Sequence, residues 1–64
     1  MAKKYCVVTE YKSSGNRVIE DRYNDLNMAM RRAQDIGFRS RFTYAIVVDE
    51  NDNEVARYSR DLVG

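Results

Sequence analysis

The chain contains no histidine, no proline and no tryptophan, and its one cysteine is Cys6. Each absence removes a class of explanation. Without histidine the usual base for a serine or cysteine nucleophile is missing. A zinc centre needs several thiolates or imidazoles, and one thiol is all the chain offers. The same lone thiol excludes an internal disulfide. The three glycines, Gly15, Gly37 and Gly64, are too scattered to make a phosphate-cradling loop. No apolar run approaches the ~18 residues of a membrane span. In MAKKYCVV two lysines precede an apolar stretch too short for a signal peptide, so a cytoplasmic location is expected. Charge excess is missing too. Eleven Lys+Arg stand against ten Asp+Glu, for a net charge of +1, whereas nucleic-acid modules usually carry a larger basic surplus. No cofactor, metal or catalytic centre is expected. Cys6 lies among valines, where a thiol behaves as a small inert apolar group. Glu10, Glu20 and Asp21 do not form a carboxylate cluster, because strand alternation puts Glu20 and Asp21 on opposite faces.

What is present reads as one domain, residues 1–64. A chain this short buries only about 60% of its unfolded surface, and its core supplies roughly 3–5 kcal/mol. With disulfide and metal excluded, a partner chain is the expected extra support. KYCVVTEY (4–11) is rich in β-branched and aromatic residues and reads as a strand. KSSGN is turn material, and RVIEDRY (17–23) is a second, more polar strand completing a hairpin. The period then changes. Leu26, Ala29, Met30, Ala33 and Ile36 form a helical stripe, with Asn24 or Asp25 as cap and Gly37 as a left-handed C-terminal residue, so a helix is expected over about 25–36. FTYAIVVDE (42–50) and EVARYS (54–59) are two further strands around the polar turn DENDNE. The fold class is α+β: a four-stranded antiparallel sheet in ββαββ order with one helix packed on one face. A right-handed crossover gives the spatial order 2-1-3-4.

The two central strands are apolar on both sides. Phe42, Tyr44, Ile46 and Val48 share one face of the third strand, and Thr43, Ala45 and Val47 the other. On the first strand Tyr5, Val7, Thr9 and Tyr11 oppose Cys6 and Val8. One helix covers one face, and a solvated back should alternate cleanly with polar residues. Something else is therefore expected on the second face, a second copy of the chain being favoured over a self-sufficient monomer whose tyrosines tolerate water. Which face meets the helix is left open by the sequence; the small Ala29 and Ala33 permit close approach, which suits the bulkier face with Tyr44, Ile46 and Val7. Met28 points away from the helical stripe, as a partner contact or an incidental surface residue.

The stretch RRAQDIGFRSR (31–41) holds Arg31, Arg32, Arg39 and Arg41. Asp35 can pair with Arg31 four residues earlier, and Arg39 and Arg41 complement the negative end of the helix dipole. Phe38 and Phe42 lie among them, a mixture that can also stack bases or hold phosphates. In DENDNE, Asp49, Asn51 and Asn53 match the first ligand positions of a calcium loop. Glu54 then stands where glycine is required and Arg60 where a bidentate carboxylate is required, so a hairpin turn is expected.

The layout of YCVVTEY, a short hairpin, LNMAMRRAQDI and two further strands resembles small phage-encoded ββαββ proteins, some of them anti-CRISPR inhibitors. The resemblance lies in architecture and carries no diagnostic motif. It implies a compact module that works by occupying a surface.

The resulting expectation is a non-catalytic, homodimeric protein-binding module that masks a surface of a host protein or nucleoprotein complex. Arg31, Arg32, Arg39, Arg41, Met28, Tyr5 and Tyr11 are its candidate contacts, since tyrosine and arginine are favoured at interface hot spots. The alternatives are nucleic-acid binding through the Arg31–Arg41 cluster and a ligand pocket at a homodimer interface.

Overall fold

The computed structural model describes residues 3–60. Expectations that touch residues 1–2 and 61–64 lie outside them. The elements run β1 (Tyr5–Tyr11), β2 (Arg17–Tyr23), α1 (Leu26–Gly37), β3 (Thr43–Val48) and β4 (Glu54–Tyr58). The strands form one antiparallel sheet in the order β2-β1-β3-β4, with the two most apolar strands at its centre.

Local chemistry explains the joints. In the first turn Gly15 adopts a φ of 78°, a left-handed conformation that costs glycine nothing. Its N–H donates to the Tyr11 carbonyl at 2.7 Å. Asp25 caps α1, its Oδ1 accepting from the Asn27 N–H at 2.9 Å. In the second turn Asp49 Oδ1 accepts from the N–H groups of both Asn51 and Asn53, and the Asn53 bond leads the causes that hold the Asp49 carboxyl below its usual range. That carboxylate is thus occupied by backbone, and DENDNE is a hairpin turn. Among the described residues no group of three His, Cys, Asp or Glu is placed to hold a metal ion.

Gly37 ends the helix for a different reason from the one expected. Gly15 is the one described glycine with a positive φ, so Gly37 is not a left-handed cap. It is the point where α1 meets β4: a Cβ there would lie 2.8 Å from the Tyr58 carbonyl oxygen. Phe38 follows as the C-cap and packs edge-on against the Tyr58 ring, centroids 6.0 Å apart.

The helix lies on the face away from Tyr44 and Ile46, a choice the sequence leaves open. Cross-strand pairing sets Val7 against Val47 and Val8 against Ile46, so Val7 does not share a face with Tyr44 and Ile46. Ala29 and Ala33 pack on Val7, Ala45 and Val47, with Tyr5, Tyr23, Leu26, Met30, Ile36, Ala56 and Tyr58 around them. Small residues on helix and strand let the two backbones approach closely, and the tight contact at Gly37 belongs to the same approach. The bulkier set, Tyr44, Ile46 and Val48, is on the open face with Cys6 and Val8.

Both edges of the sheet are irregular. Glu20 is an extra residue between the pairs Val7–Asp21 and Val8–Ile19. Val55 is an extra residue between Val47–Ala56 and Val48–Glu54. Bulges of this kind twist an edge strand away from further pairing.

Candidate interaction surfaces

The open face is apolar without being bare. Ile46 is 0% exposed, and Val8 and Val48 are buried, although no helix lies over them. The cover is a lattice of side chains from all four strands. Arg57 on β4 reaches over β3 to Glu10 on β1, Nη1 to Oε2 at 3.3 Å, and holds Glu54 on its own strand at 2.7 Å. Arg17 on β2 closes on the other Glu10 oxygen at 2.8 Å. The Arg57 guanidinium lies 4.6 Å from the centre of the Tyr44 ring and the Lys12 ammonium 4.8 Å from it. Arg57 is the cross-strand neighbour of Ile46, a placement that lets its aliphatic stem lie over Ile46 while its head stays paired and partly wet. These side chains cover part of the second face; Ile19, across from Val8, remains 53% exposed on it. A second copy stacked on this face would have to displace or bury these ion pairs.

The lattice sets a pH dependence. The hydrogen bond from Arg17, with the charge of Arg57, holds the Glu10 carboxyl below its ordinary 4.5. The bond from Arg57 does the same for Glu54. Groups with depressed folded-state values contribute stability that is present above their unfolded values and lost as pH falls through the folded ones. Urea midpoints are therefore expected to stay level from neutral pH to about pH 5 and to fall below it. Glu10→Gln should lower the neutral plateau and flatten the acid limb. An acid limb as steep in Glu10→Gln as in the parent would show that Glu10 does not carry it.

The arginine cluster separates into two parts. Asp35 pairs with Arg32 at 3.4 Å and with Arg39 at 3.1 Å, not with Arg31. An acid placed four residues before a base on a helix is the better orientation, and Asp35–Arg39 has it while Arg31–Asp35 does not. Among the described residues Arg31 and Arg41 have no ion-pair partner. Arg31 lines a shallow depression on the outer side of α1 together with Asp25, Asn27, Met28, Met30 and Gln34, and Met28 is 54% exposed there. Arg41 lies beyond the helix next to Phe42, which is 74% exposed.

The two tyrosine candidates part company. Tyr11, at the end of β1, is exposed. Tyr5 is half-buried, packed against the helix-side core. Sequence reasoning did not single out Arg57, nor Phe42 as a surface residue in its own right. The signal for Arg57 was its parity: once β4 pairs with β3, Arg57 shares a face with Ile46 and Glu10.

The ends of the sheet carry opposite charge. Tyr11 pairs with Thr43, Glu10 with Arg17 and Ala45 with Tyr58. The end of β1, the starts of β2 and β3, the end of β4 and the C-terminus of α1 are thus together. Lys12, Arg39, Arg41 and Arg60 belong to this end, and among the described residues its carboxylates Glu10 and Asp35 are paired. Asp25, Asp49, Glu50, Asp52 and Glu54 belong to the other end, with Lys3 and Lys4. The near-zero net charge is the sum of two unlike ends, each matching the adjacent pole of the α1 dipole.

Among the described residues no helix is long and apolar enough to cross a membrane. Compared with protein-family models, with curated proteins and with solved structures, the chain finds no match, so its functional reading rests on this geometry.

Proposed function

We propose that the protein is a small non-catalytic protein-binding module that acts by covering part of a larger protein assembly. An inhibitory role of the phage type, which the ββαββ layout implies by resemblance, belongs to the same proposal. The observation that carries it is the placing of an arginine with no ion-pair partner among the described residues beside an exposed apolar side chain at two places: Arg31 with Met28 on α1, and Arg41 with Phe42 at the basic end. Arginine and aromatic groups dominate binding energy at interfaces, and methionine adapts to irregular partner surfaces. The chain also has no histidine to serve as a general base.

The test is affinity capture from a cell lysate, with and without nuclease, using the parent chain and the single variants Arg31→Glu and Arg41→Glu. A protein partner that survives nuclease and is retained roughly 10-fold less well by at least one variant is the expected result. A partner that disappears on nuclease treatment, or one that both variants retain fully, would overturn the proposal.

A further inference from the structure

Resting on the protein-binding reading, we infer that the basic end formed by Arg39, Arg41 and Phe42 takes a carboxylate-rich protein segment carrying an apolar side chain, with Phe42 as the anchor. Phe42 is the most exposed large apolar residue among those described, at 74%. Its backbone is nevertheless held on both sides. The Phe42 N–H donates to Ser40 Oγ at 3.1 Å, and its carbonyl accepts from the Lys12 N–H at 3.1 Å. An aromatic ring presented on a clamped backbone loses less freedom on binding than one on a loose loop. Arg41 precedes it with no partner among the described residues, and Arg39 is three residues before, sharing Asp35 with Arg32.

Charge complementarity selects an acidic occupant, because this end gathers Arg39, Arg41 and Arg60 while the described carboxylates there, Glu10 and Asp35, are already paired. The open face argues against a nucleic acid. A single strand needs a basic groove and free aromatic faces on which bases stack. Here the Tyr44 ring already carries Arg57 and Lys12, and the Arg57–Glu10 bridge lies across the middle of the sheet. The basic end offers only a few cations for phosphates, and the electrostatic affinity for nucleic acid grows with the number of phosphates neutralised.

The full chain, isotopically labelled, is titrated by NMR at physiological salt with four probes: a short peptide of glutamate and leucine, one of glutamate and serine, one of lysine and leucine, and an oligothymidylate. The Glu/Leu peptide should shift the amides of Arg39–Thr43 with those of Tyr11 and Lys12. It should bind about 5-fold more tightly than the Glu/Ser peptide and about 10-fold more tightly than the oligonucleotide. Phe42→Ala should abolish the advantage of leucine over serine with little change in thermal midpoint, since the ring is exposed. Equal binding of the Glu/Leu and Glu/Ser peptides, equal or tighter binding of the lysine peptide, or shifts confined to other residues would overturn the inference. So would self-association of the chain that shifts these same amides on concentration. If the tip fails while a nuclease-resistant partner still depends on Arg31, the protein-binding reading survives. Preference for the oligonucleotide at the tip would overturn both.

Discussion

Replacing Gly37 with alanine is expected to destabilise the protein by about 2 kcal/mol, within the range for overpacking a tight contact. Helix propensity alone predicts the opposite, a gain of up to about 1 kcal/mol for a glycine inside a helix. The two effects differ in sign, so the outcome is diagnostic. The added methyl would meet the Tyr58 carbonyl oxygen at 2.8 Å, its Cβ at 2.9 Å and its carbonyl carbon at 3.0 Å. Two of these three atoms are backbone, so the contact is relieved only by moving α1 away from β4. That movement would loosen Ala29 and Ala33 against Ala45 and Val47, all of them 0% exposed. In a domain this small 2 kcal/mol lowers the thermal midpoint by roughly 8–16 °C. Gln34→Ala, at an exposed position of the same helix, should change stability by no more than about 0.5 kcal/mol. A Gly37→Ala variant more stable than its parent would show that the helix–strand approach is looser than described.

Arg57→Ala is expected to cost about 2 kcal/mol. Its ion pairs with Glu10 and Glu54 contribute about 0–1 kcal/mol each in this partly exposed setting, and its cation–π contact with Tyr44 about 0.5–1. Uncovering Ile46 adds to both, at about 25 cal/mol for each Å² of apolar surface returned to water. Arg57→Met separates cover from charge: it keeps a long apolar stem over Ile46 and removes the pairs. Thermal and urea unfolding should place it between the parent and Arg57→Ala, and added salt should weaken the parent more than the methionine variant. Equal losses in the two variants would mean that the stem covers nothing. No loss in either would mean that Ile46 is protected by something other than Arg57.

The elements and their order were legible from composition and period: β-branched and aromatic runs in 5–11 and 43–48, and a three-to-four-residue stripe from Leu26 to Ile36. The strand order followed from the handedness of one crossover. The face that meets the helix was not legible. Ala45 and Val47 are as apolar as Ile46 and Val48, and only the register of β1 against β3 shows that Val7 belongs with the first pair. Gly37 was visible as a helix end, but its reason lies 21 residues away at Tyr58, a contact no local pattern encodes. Arg57 was hidden similarly, since its partner Glu10 is 47 residues distant. The cluster 31–41 was plain in sequence. Which of its arginines Asp35 neutralises depended on pair orientation along the helix, and the segregation of charge between the two ends appeared only once the strand ends were placed together.

The central claim is that Ile46 and the part of the open face around Tyr44 are covered by the chain's own Glu10–Arg17–Arg57–Glu54 lattice, while the basic end and the outer side of α1 are offered to a partner. Methyl NMR in the presence of a neutral, soluble paramagnetic probe, across a dilution series, tests it most directly. The account predicts that the methyl groups of Ile46, Val8 and Val48 are shielded nearly as well as those of Val7 and Val47 beneath the helix, at every concentration, while Met28 and Ile19 are strongly relaxed. Strong relaxation of Ile46 at low concentration, or shielding that appears only as the chain associates, would contradict it.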